Sequence, residues 1–492
     1  MKKFDFKSSM QRKKNLKYGG YATVSTIVLL IALVLVNVLF TVMDFDVDLT
    51  VEGIYTPSEE TLAILDQVED DVIIYGLYNT GTEQNEYNKR VINLIEAYTD
   101  LSDHVSFKLI DPLTDPAFVN GFLADDSVNL ENGSLIMVNQ ATGKFKTILL
   151  SSMYEITTDY SLMTRSITGF SAEVALSSAL QYVCITDTPV LYQLTGHSER
   201  ALTSAFINYL SYTNYEVDSL HLILENVTEL EANEYSVILV NNPRLDITED
   251  EYQILLSFME RGGRMLFLAS SDMPELPNFE RLLQRYGISI QRGLMIETSA
   301  NHYYQYPYVI RPEMGTDNPI TQYMQDVNND MSLIVAPASV VINNERNNNT
   351  RVNAIVTTSE DAVIKGDDNN AAVYEEGDIQ GPFNLAVLAE ETVNRPDGNV
   401  TGSKLMVVGS SDFIDAENNG WVFKGNYQLA TLMCDYLQDS VTRLYINTKD
   451  ISESKIATTQ GDFIFYGLMF VVVIPLIVIM IGVIIWVRRK HL

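Results

Sequence analysis

Two uncharged apolar segments, Tyr21–Met43 and Phe463–Val487, stand toward opposite ends of this chain, and each is long enough to cross a bilayer. At about 1.5 Å rise per residue, a helix over either one covers a hydrocarbon core of about 30 Å. The region between them is therefore expected to be held to a membrane at both ends. Asn37 is the one strongly polar interruption of the first segment. Pro475 lies within the second, where it removes a backbone hydrogen bond and favours a kink unless a neighbouring helix satisfies the freed carbonyl. Asn37 and Pro475 are the expected contacts with a membrane partner.

Basic residues set the orientation. Lys2, Lys3, Lys7, Arg12, Lys13, Lys14 and Lys17 precede the first segment, and Arg488, Arg489 and Lys490 follow the second. By the positive-inside rule both termini face the cytoplasm. A cleaved signal peptide is the competing reading, but 23 apolar residues exceed an ordinary signal core, and the run ends in TVMDFDVD without a small-residue cleavage site. The region between keeps 23 of the 33 Lys and Arg against 63 of the 64 Asp and Glu, a formal charge of about −40. Such an exterior repels phosphate backbones, which excludes nucleic acid as a partner. Only Cys184 and Cys434 occur, both in apolar helical contexts, so no disulfide framework is expected. That scarcity fits a bacterial cell surface, and the plasma membrane is the expected location. Tails spanning 1–20 and 488–492 are too short for an ATPase, no G-x-x-x-x-G-K-[ST] phosphate loop occurs, and two helices do not enclose a transport pathway.

The intervening region reads as α/β. After a polar lead from Asp44, Ser58 followed by Thr61 and apolar Leu62, Leu65 and Val68 predicts a short capped helix. Strands are expected at Val72–Tyr78, Val105–Ile110, Ser134–Val138 and Phe145–Leu150, with an amphipathic helix over Glu86–Leu101. This order suggests a thioredoxin-like module over 44–169, without a C-x-x-C and hence without redox chemistry. A connecting helix over Phe170–Cys184 leads to strands at Val190–Leu194, Tyr235–Val240 and Arg264–Ala269, alternating with helices over Ala201–Tyr212 and Glu249–Arg261. Continuous apolar strands between amphipathic helices predict a parallel sheet covered on both faces. Thr316–Gln380 is rich in Asn and Asp and predicts short strands joined by long exposed turns. The buried-strand pattern returns at Lys404–Gly409, followed by a closing helix over Asn426–Leu437. A second domain is thus expected over 170–440, with a β-rich insertion at about 290–400 and a linker over 441–462.

Several runs in fixed order carry a family resemblance. They are Tyr55-Thr56-Pro57-Ser58-Glu59-Glu60-Thr61, Phe170-Ser171-Ala172-Glu173 with Ser178-Ala179, Leu194-Thr195-Gly196-His197-Ser198-Glu199, Arg261-Gly262-Gly263-Arg264, and Val407-Val408-Gly409-Ser410-Ser411-Asp412-Phe413. The set resembles GldG-type proteins, auxiliary subunits of ABC transport systems first associated with gliding motility. Ser198 departs from the family's G-H-G-E run, which puts a tight positive-φ turn there in question. The resemblance implies a degenerate amidotransferase or flavodoxin-like sheet, and a separate ATPase and multi-span permease as partners.

Candidate sites cluster at strand ends. Gly196, His197 and Glu199 follow the carboxyl end of a parallel strand, the edge where open α/β sheets bind ligands. The alternative there is a Ser198 or Glu199 helix cap with His197 a satisfied turn residue. Asp412 occupies another strand end, as a ligand contact or a turn-closing residue. An amidotransferase-type hydrolase needs a nucleophile at a sharp strand-to-helix turn, yet Asn241-Asn242-Pro243 follows the Val237–Val240 strand, which argues against catalysis. Tyr303, Tyr304 and Tyr306 offer either a contact surface for carbohydrate or protein, or the packed core of the insertion. No metal-ligand spacing and no cofactor motif stand out. The expected function is a non-catalytic auxiliary subunit; the alternatives are a surface hydrolase and a passive ligand-binding or adhesive ectodomain.

Overall fold

A computed structural model describes residues 53–122, 130–159, 164–185, 188–224, 227, 230–233, 235–315, 318–326, 332–343, 349–366, 373–394, 400–415, 420, 422–438, 446, 448–451, 469 and 474–490, together with 21, 24 and 27–35. The chain divides into two units, Met1–Thr56 and Pro57–Leu492. In the first, the described residues between 21 and 35 are helical and present Tyr21, Val24, Leu29 and Leu33 to the outside.

The second unit opens with helix α1 (Glu59–Leu65), whose N-cap Ser58 accepts from the Thr61 N–H and whose first turn carries Glu59 and Glu60. Strand β1 (Val72–Leu77), helix α2 (Glu86–Leu101), β2 (Val105–Ile110), β3 (Leu135–Asn139) and β4 (Phe145–Ile148) build a four-stranded sheet in the order β2-β1-β3-β4. In it β1 and β2 are parallel, and β3 runs antiparallel to both β1 and β4. One face of α2 buries Val91, Leu94, Ile95 and Tyr98, as its 3.6-residue period requires. A hairpin of β5 (Tyr154–Asp159) and β6 (Thr164–Phe170) comes next and leads into helix α3 (Ala172–Cys184).

The large sheet is built from β7 (Val190–Leu194), helix α4 (Ser204–Tyr212), β8 (Glu216–Leu220), β9 (Ser236–Asn241), helix α5 (Glu249–Glu260), β10 (Arg264–Leu268) and helix α6 (Pro277–Arg285). The segment after α6 contributes β11 (Ile288–Gln291), β12 (Met295–Glu297), β13 (Tyr303–Tyr304), β14 (Tyr306–Ile310), β15 (Glu313–Met314), β16 (Ile334–Val335), β17 (Ser339–Ile342), β18 (Thr350–Thr357), β19 (Ala362–Ile364) and β20 (Ile379–Gln380). It ends in the long hairpin of β21 (Asn384–Asn394) and β22 (Val400–Val408), before helix α7 (Lys424–Leu437). The strand order is β15-β18-β21-β22-β10-β9-β7-β8, with β8, β7, β9, β10 and β22 all parallel. The returning strand expected at Lys404–Gly409 thus lies beside β10, with Arg264 opposite Lys404. The Asn-rich runs around 344–348 and 367–370 lie outside the described residues.

Both faces of this sheet are buried, and alternation within each strand separates two cores. Val237, Leu239, Leu266, Met406 and Val408 pack beneath α4 and α7, meeting Phe206, Leu210, Leu429 and Met433. Ile238, Val240, Met265, Phe267, Leu405 and Val407 pack beneath α5 and α6, meeting Leu255, Phe258, Phe279 and Leu283. The chain steps from β7 to β8 on one side and then to β9 on the other. The carboxyl ends of β7 and β9 therefore flank the topological switch point, where such sheets open a crevice.

Part of the expected linker pairs with the body of the unit: β23 (Lys449–Asp450) joins β6 and β5 in a three-stranded sheet, with Lys449 opposite Phe170. Helix α8 (Ile474–Lys490) closes the described chain and leaves Leu476, Ile477, Met480, Ile484 and Trp486 exposed. Residues 470–473, immediately before α8, lie outside the described residues, and so does the kink expected at Pro475. Among the described residues no helix is long and apolar enough to cross a membrane. Residues 36–43, Asn37 included, and 463–468 and 470–473 lie outside them.

Candidate functional site at the carboxyl edge of the parallel sheet

Beyond β7, the Thr195 N–H donates to Leu220 O at 2.9 Å, and the chain turns sharply through Gly196 (φ 119) and Ser198 (φ 55). A Cβ on Gly196 would come within 3.0 Å of the His221 ring. Ser198 keeps the left-handed conformation that a glycine would adopt more easily, at a steric cost of about 1–2 kcal/mol. Ser198→Gly is expected to raise stability by about 1 kcal/mol, read as slower hydrogen exchange at the β7 amides; unchanged or faster exchange would show that the hydroxymethyl group is needed. Helix α4 begins at Ser204 and is capped by Thr203, whose side chain accepts from Phe206 N. Neither Ser198 nor Glu199 caps it, which corrects that expectation: the extra residues hold the loop across the sheet edge.

His197 is 5% exposed and has carboxylates on both sides. Its Nδ1 lies 3.0 Å from Glu199 Oε1 and its Nε2 3.1 Å from Glu251 Oε1, while its backbone N–H donates to Glu199 Oε2 at 2.7 Å. Its carbonyl accepts the N–H groups of Arg244 and Leu245, at 3.0 and 2.9 Å. Glu251 sits in the first turn of α5, where its Oε2 accepts from the backbone N–H and hydroxyl of Thr248, each at 2.9 Å, in a capping box. Burial by itself would lower the His197 pKa, but hydrogen bonding and charge from Glu199 and Glu251 raise it above the ordinary histidine range. Burial pushes Glu251 upward, and the bonds from Thr248 together with the His197 charge outweigh it, so its pKa falls. Each ring nitrogen faces a carboxylate oxygen, and below the folded pKa both N–H groups are engaged, which leaves no lone pair for a proton or a metal.

Arg200 connects this loop to the second strand end. Its guanidinium Nη1 pairs with Asp412 Oδ1 and, at 3.3 Å, with Asp415 Oδ2. Its backbone is tied to β9: Arg200 N donates to Asn241 O at 2.8 Å, and Asn241 Nδ2 donates to Arg200 O at 2.7 Å. Asn242, next along, has φ 49 and accepts the Ser270 hydroxyl at 2.9 Å. A nucleophile elbow would stand at such a strained strand end, and the chain holds an amide there. The loops after β7 and β9 are thus bonded across the switch-point crevice by the protein's own groups.

Gly196, His197, Glu199 and Asp412 are therefore brought to one sheet edge. Sequence reasoning missed Arg200, Glu251 and Asp415. Arg200 follows Glu199 directly, and a cation between two expected acidic strand ends was its signal. The tyrosines stand on a separate three-stranded sheet, β13-β14-β16, which meets the Asp412 turn through a Ser410 hydroxyl donating to Val335 O at 2.6 Å. Tyr303 and Tyr304 are half-buried, and Tyr304 lies edge-on to Phe423 with centroids 5.9 Å apart. Tyr306 is 47% exposed and stacks on Tyr308 at 5.5 Å. Among the described residues no group of three His, Cys, Asp or Glu is placed to hold a metal.

Residues 188–434 match a family described as "ABC-type uncharacterized transport system", and residues 51–147 match a domain of unknown function, DUF7088. No curated protein matches the chain. Among solved structures it is similar to the mmIFT52 N-terminal domain, at 13% identity over 52% of this chain and 100% of that one, with a TM-score of 0.35. It is also similar to the NTD_N/C domain of alkylhydroperoxide reductase AhpF from Enterococcus faecalis (V583), at 11% identity over 34% and 79%, TM-score 0.20. A third is the exo-beta-1,4-mannosidase Op5Man5 from Opitutaceae bacterium strain TAV5, at 11% identity over 73% and 50%, TM-score 0.26. At these scores the likenesses carry no argument.

Proposed function

The chain belongs to the ABC-type transport-system auxiliary family, and from that premise we propose that it is a non-catalytic, GldG-type subunit anchored in a bacterial plasma membrane at both ends. Its partners are a separate ABC ATPase and a multi-span permease. Its main region is extracytoplasmic and engages substrate or envelope. The observation that carries the non-catalytic reading is the sheet-edge cluster: His197 is neutralised on both sides, Arg200 is paired with Asp412 and Asp415, and Asn242 stands at the elbow position.

The exposed apolar side chains of α8, followed by Arg488, support the membrane reading, because a helix apolar all round is stable only in lipid or against other helices. The order β2-β1-β3-β4 supports a thioredoxin-like first module over 44–169. The doubly covered parallel sheet supports a flavodoxin or amidotransferase-like second domain over 170–440. Asn37 and Pro475 remain the proposed contacts with a membrane partner. Affinity purification of the full chain from membranes in mild detergent is expected to recover an ATPase and a permease in fixed ratio. A clean monomer with neither would overturn the reading. A ligand-binding ectodomain is the second reading, favoured by exposed Tyr306 stacked on half-buried Tyr308; its test is loss of surface binding on Tyr306→Ala with partner recovery unchanged.

A further inference from the structure

Two of the runs that carry the family resemblance, Tyr55–Thr61 and Phe170–Glu173, take no part in the sheet-edge cluster. They meet each other at Glu173. This carboxylate is 1% exposed, in the first turn of α3. Its Oε1 accepts the Ser58 backbone N–H at 2.6 Å and the Thr61 hydroxyl at 2.8 Å. Its Oε2 lies 2.7 Å from Lys449 Nζ. Ser58 and Thr61 begin the second unit's first helix, and Lys449 belongs to β23, the last described strand before the second apolar segment.

The surroundings tighten both sides. The Thr61 and Ser177 hydroxyls are 2.9 Å apart, and the Tyr98 hydroxyl lies 2.6 Å from that of Ser177, so the incoming side is fixed to α2 and α3. On the outgoing side Ser171 Oγ lies 3.1 Å from Thr448 Oγ1, and Ile451 N donates to Thr168 O at 2.9 Å. A carboxylate this buried is stable as an anion only with a cation and several donors around it. Ser58, Thr61 and Lys449 are those groups, and no one of them suffices. Without Lys449 the carboxylate has no cation beside it, and once it takes up a proton its bonds to Ser58 and Thr61 become neutral bonds of about half the strength.

We infer that Glu173 is a two-ended clasp that makes the incoming segment at Ser58–Thr61 and the outgoing segment at Thr448–Ile451 one mechanical unit, so that displacement of either is passed to the other through one side chain. Its use in a membrane complex rests on the proposed reading of the two apolar ends as anchors; the clasp itself does not.

Hydrogen exchange of the full chain in detergent tests this, with Lys449→Met as the decisive variant because that side chain lies toward the rim. Exchange in the peptide over residues 58–62 is expected to accelerate about tenfold, the fold-change for replacing a charge-assisted bond by a neutral one, although the substitution is made at the other end of the chain. Lys449→Arg, which keeps the charge, is expected to restore the wild-type rate. Glu173→Gln is expected to accelerate residues 58–62 and 448–451 together. Acceleration confined to 448–451 in Lys449→Met, with 58–62 unchanged, overturns the clasp, as does equal acceleration in Lys449→Arg. Recovery of ATPase and permease is scored on the same preparations. A working clasp without partners sinks the transport reading alone, and partners without coupling sink the clasp alone.

Discussion

His197→Ala is expected to destabilise the second unit by about 3–5 kcal/mol, because it removes the cation from between two buried carboxylates and leaves them only the Thr248 and residue-197 N–H bonds. Glu199 and Glu251 are each 2% exposed at the side chain, so water does not take over from the lost ring. The effect is to be read as faster native-state hydrogen exchange in β7 and β9, since those strand ends are held by this loop. A loss below about 1 kcal/mol would mean that the pairs are no better than surface ones.

The pH dependence has a definite sign. The folded pKa of His197 is raised above its ordinary 6.5, so its stabilising contribution is complete below that value and is lost as pH rises through the folded pKa. The folded pKa of Glu251 is lowered from its ordinary 4.5, so its contribution is complete above that value and is lost as pH falls through the folded pKa. The triad is therefore most stabilising between the ordinary carboxylate and histidine values. His197→Gln, which keeps hydrogen-bonding capacity without charge, should show its largest deficit in that window and converge on wild type at higher pH. A deficit that grows with pH would show that the ring is neutral in the folded protein.

Gly409→Ala should cost about 3 kcal/mol or more, beyond ordinary overpacking. Gly409 ends the Val407–Val408 run and exchanges bonds with two segments: its N–H donates to Leu385 O at 2.8 Å, and its carbonyl accepts the Ala338 N–H at 2.7 Å. A Cβ at this position would fall 2.1 Å from Ala338 O. The obstructing atom is backbone, so no rotamer relieves it, and either the Ala338 bond breaks or β22 shifts against β10. Protease resistance and exchange in β10 and β22 measure this. Unchanged protection in both strands would refute the close approach.

How much was readable from the chain depended on burial. β7, β9, β10 and the end of β22 announced themselves because a parallel strand covered on both faces must be a continuous apolar run. β8 (EVDSL) is largely exposed at the sheet edge, and the β5–β6 hairpin is rich in threonine and charge, so neither produced a run of that kind. β21 was hidden for another reason: its apolar half, Leu385–Leu388, follows directly on a segment dominated by Asn and Asp, and local composition read as turns. α6 was legible and overlooked, since Pro277 at a helix start and apolar Phe279, Leu282 and Leu283 at helical spacing are its full signature. At the sheet edge, the loop residues followed from strand position, but Glu251 and Asp415 are supplied from elsewhere in the sheet, and no local pattern encodes which acid meets which cation.

The placement of β22 has a consequence for how the molecule is made. β10 remains an open parallel edge until the chain has run through the whole segment from α6 to β21 and returned, and only then do Met265 and Phe267 gain Leu405 and Val407 as neighbours. Closing so long a loop is entropically costly before any contact rewards it, which slows such pairings and exposes apolar edges in the meantime. Synthesis of this protein therefore passes through a half-built sheet, and the late hairpin is the step at which a holding chaperone or a misplaced neighbour would have its opportunity.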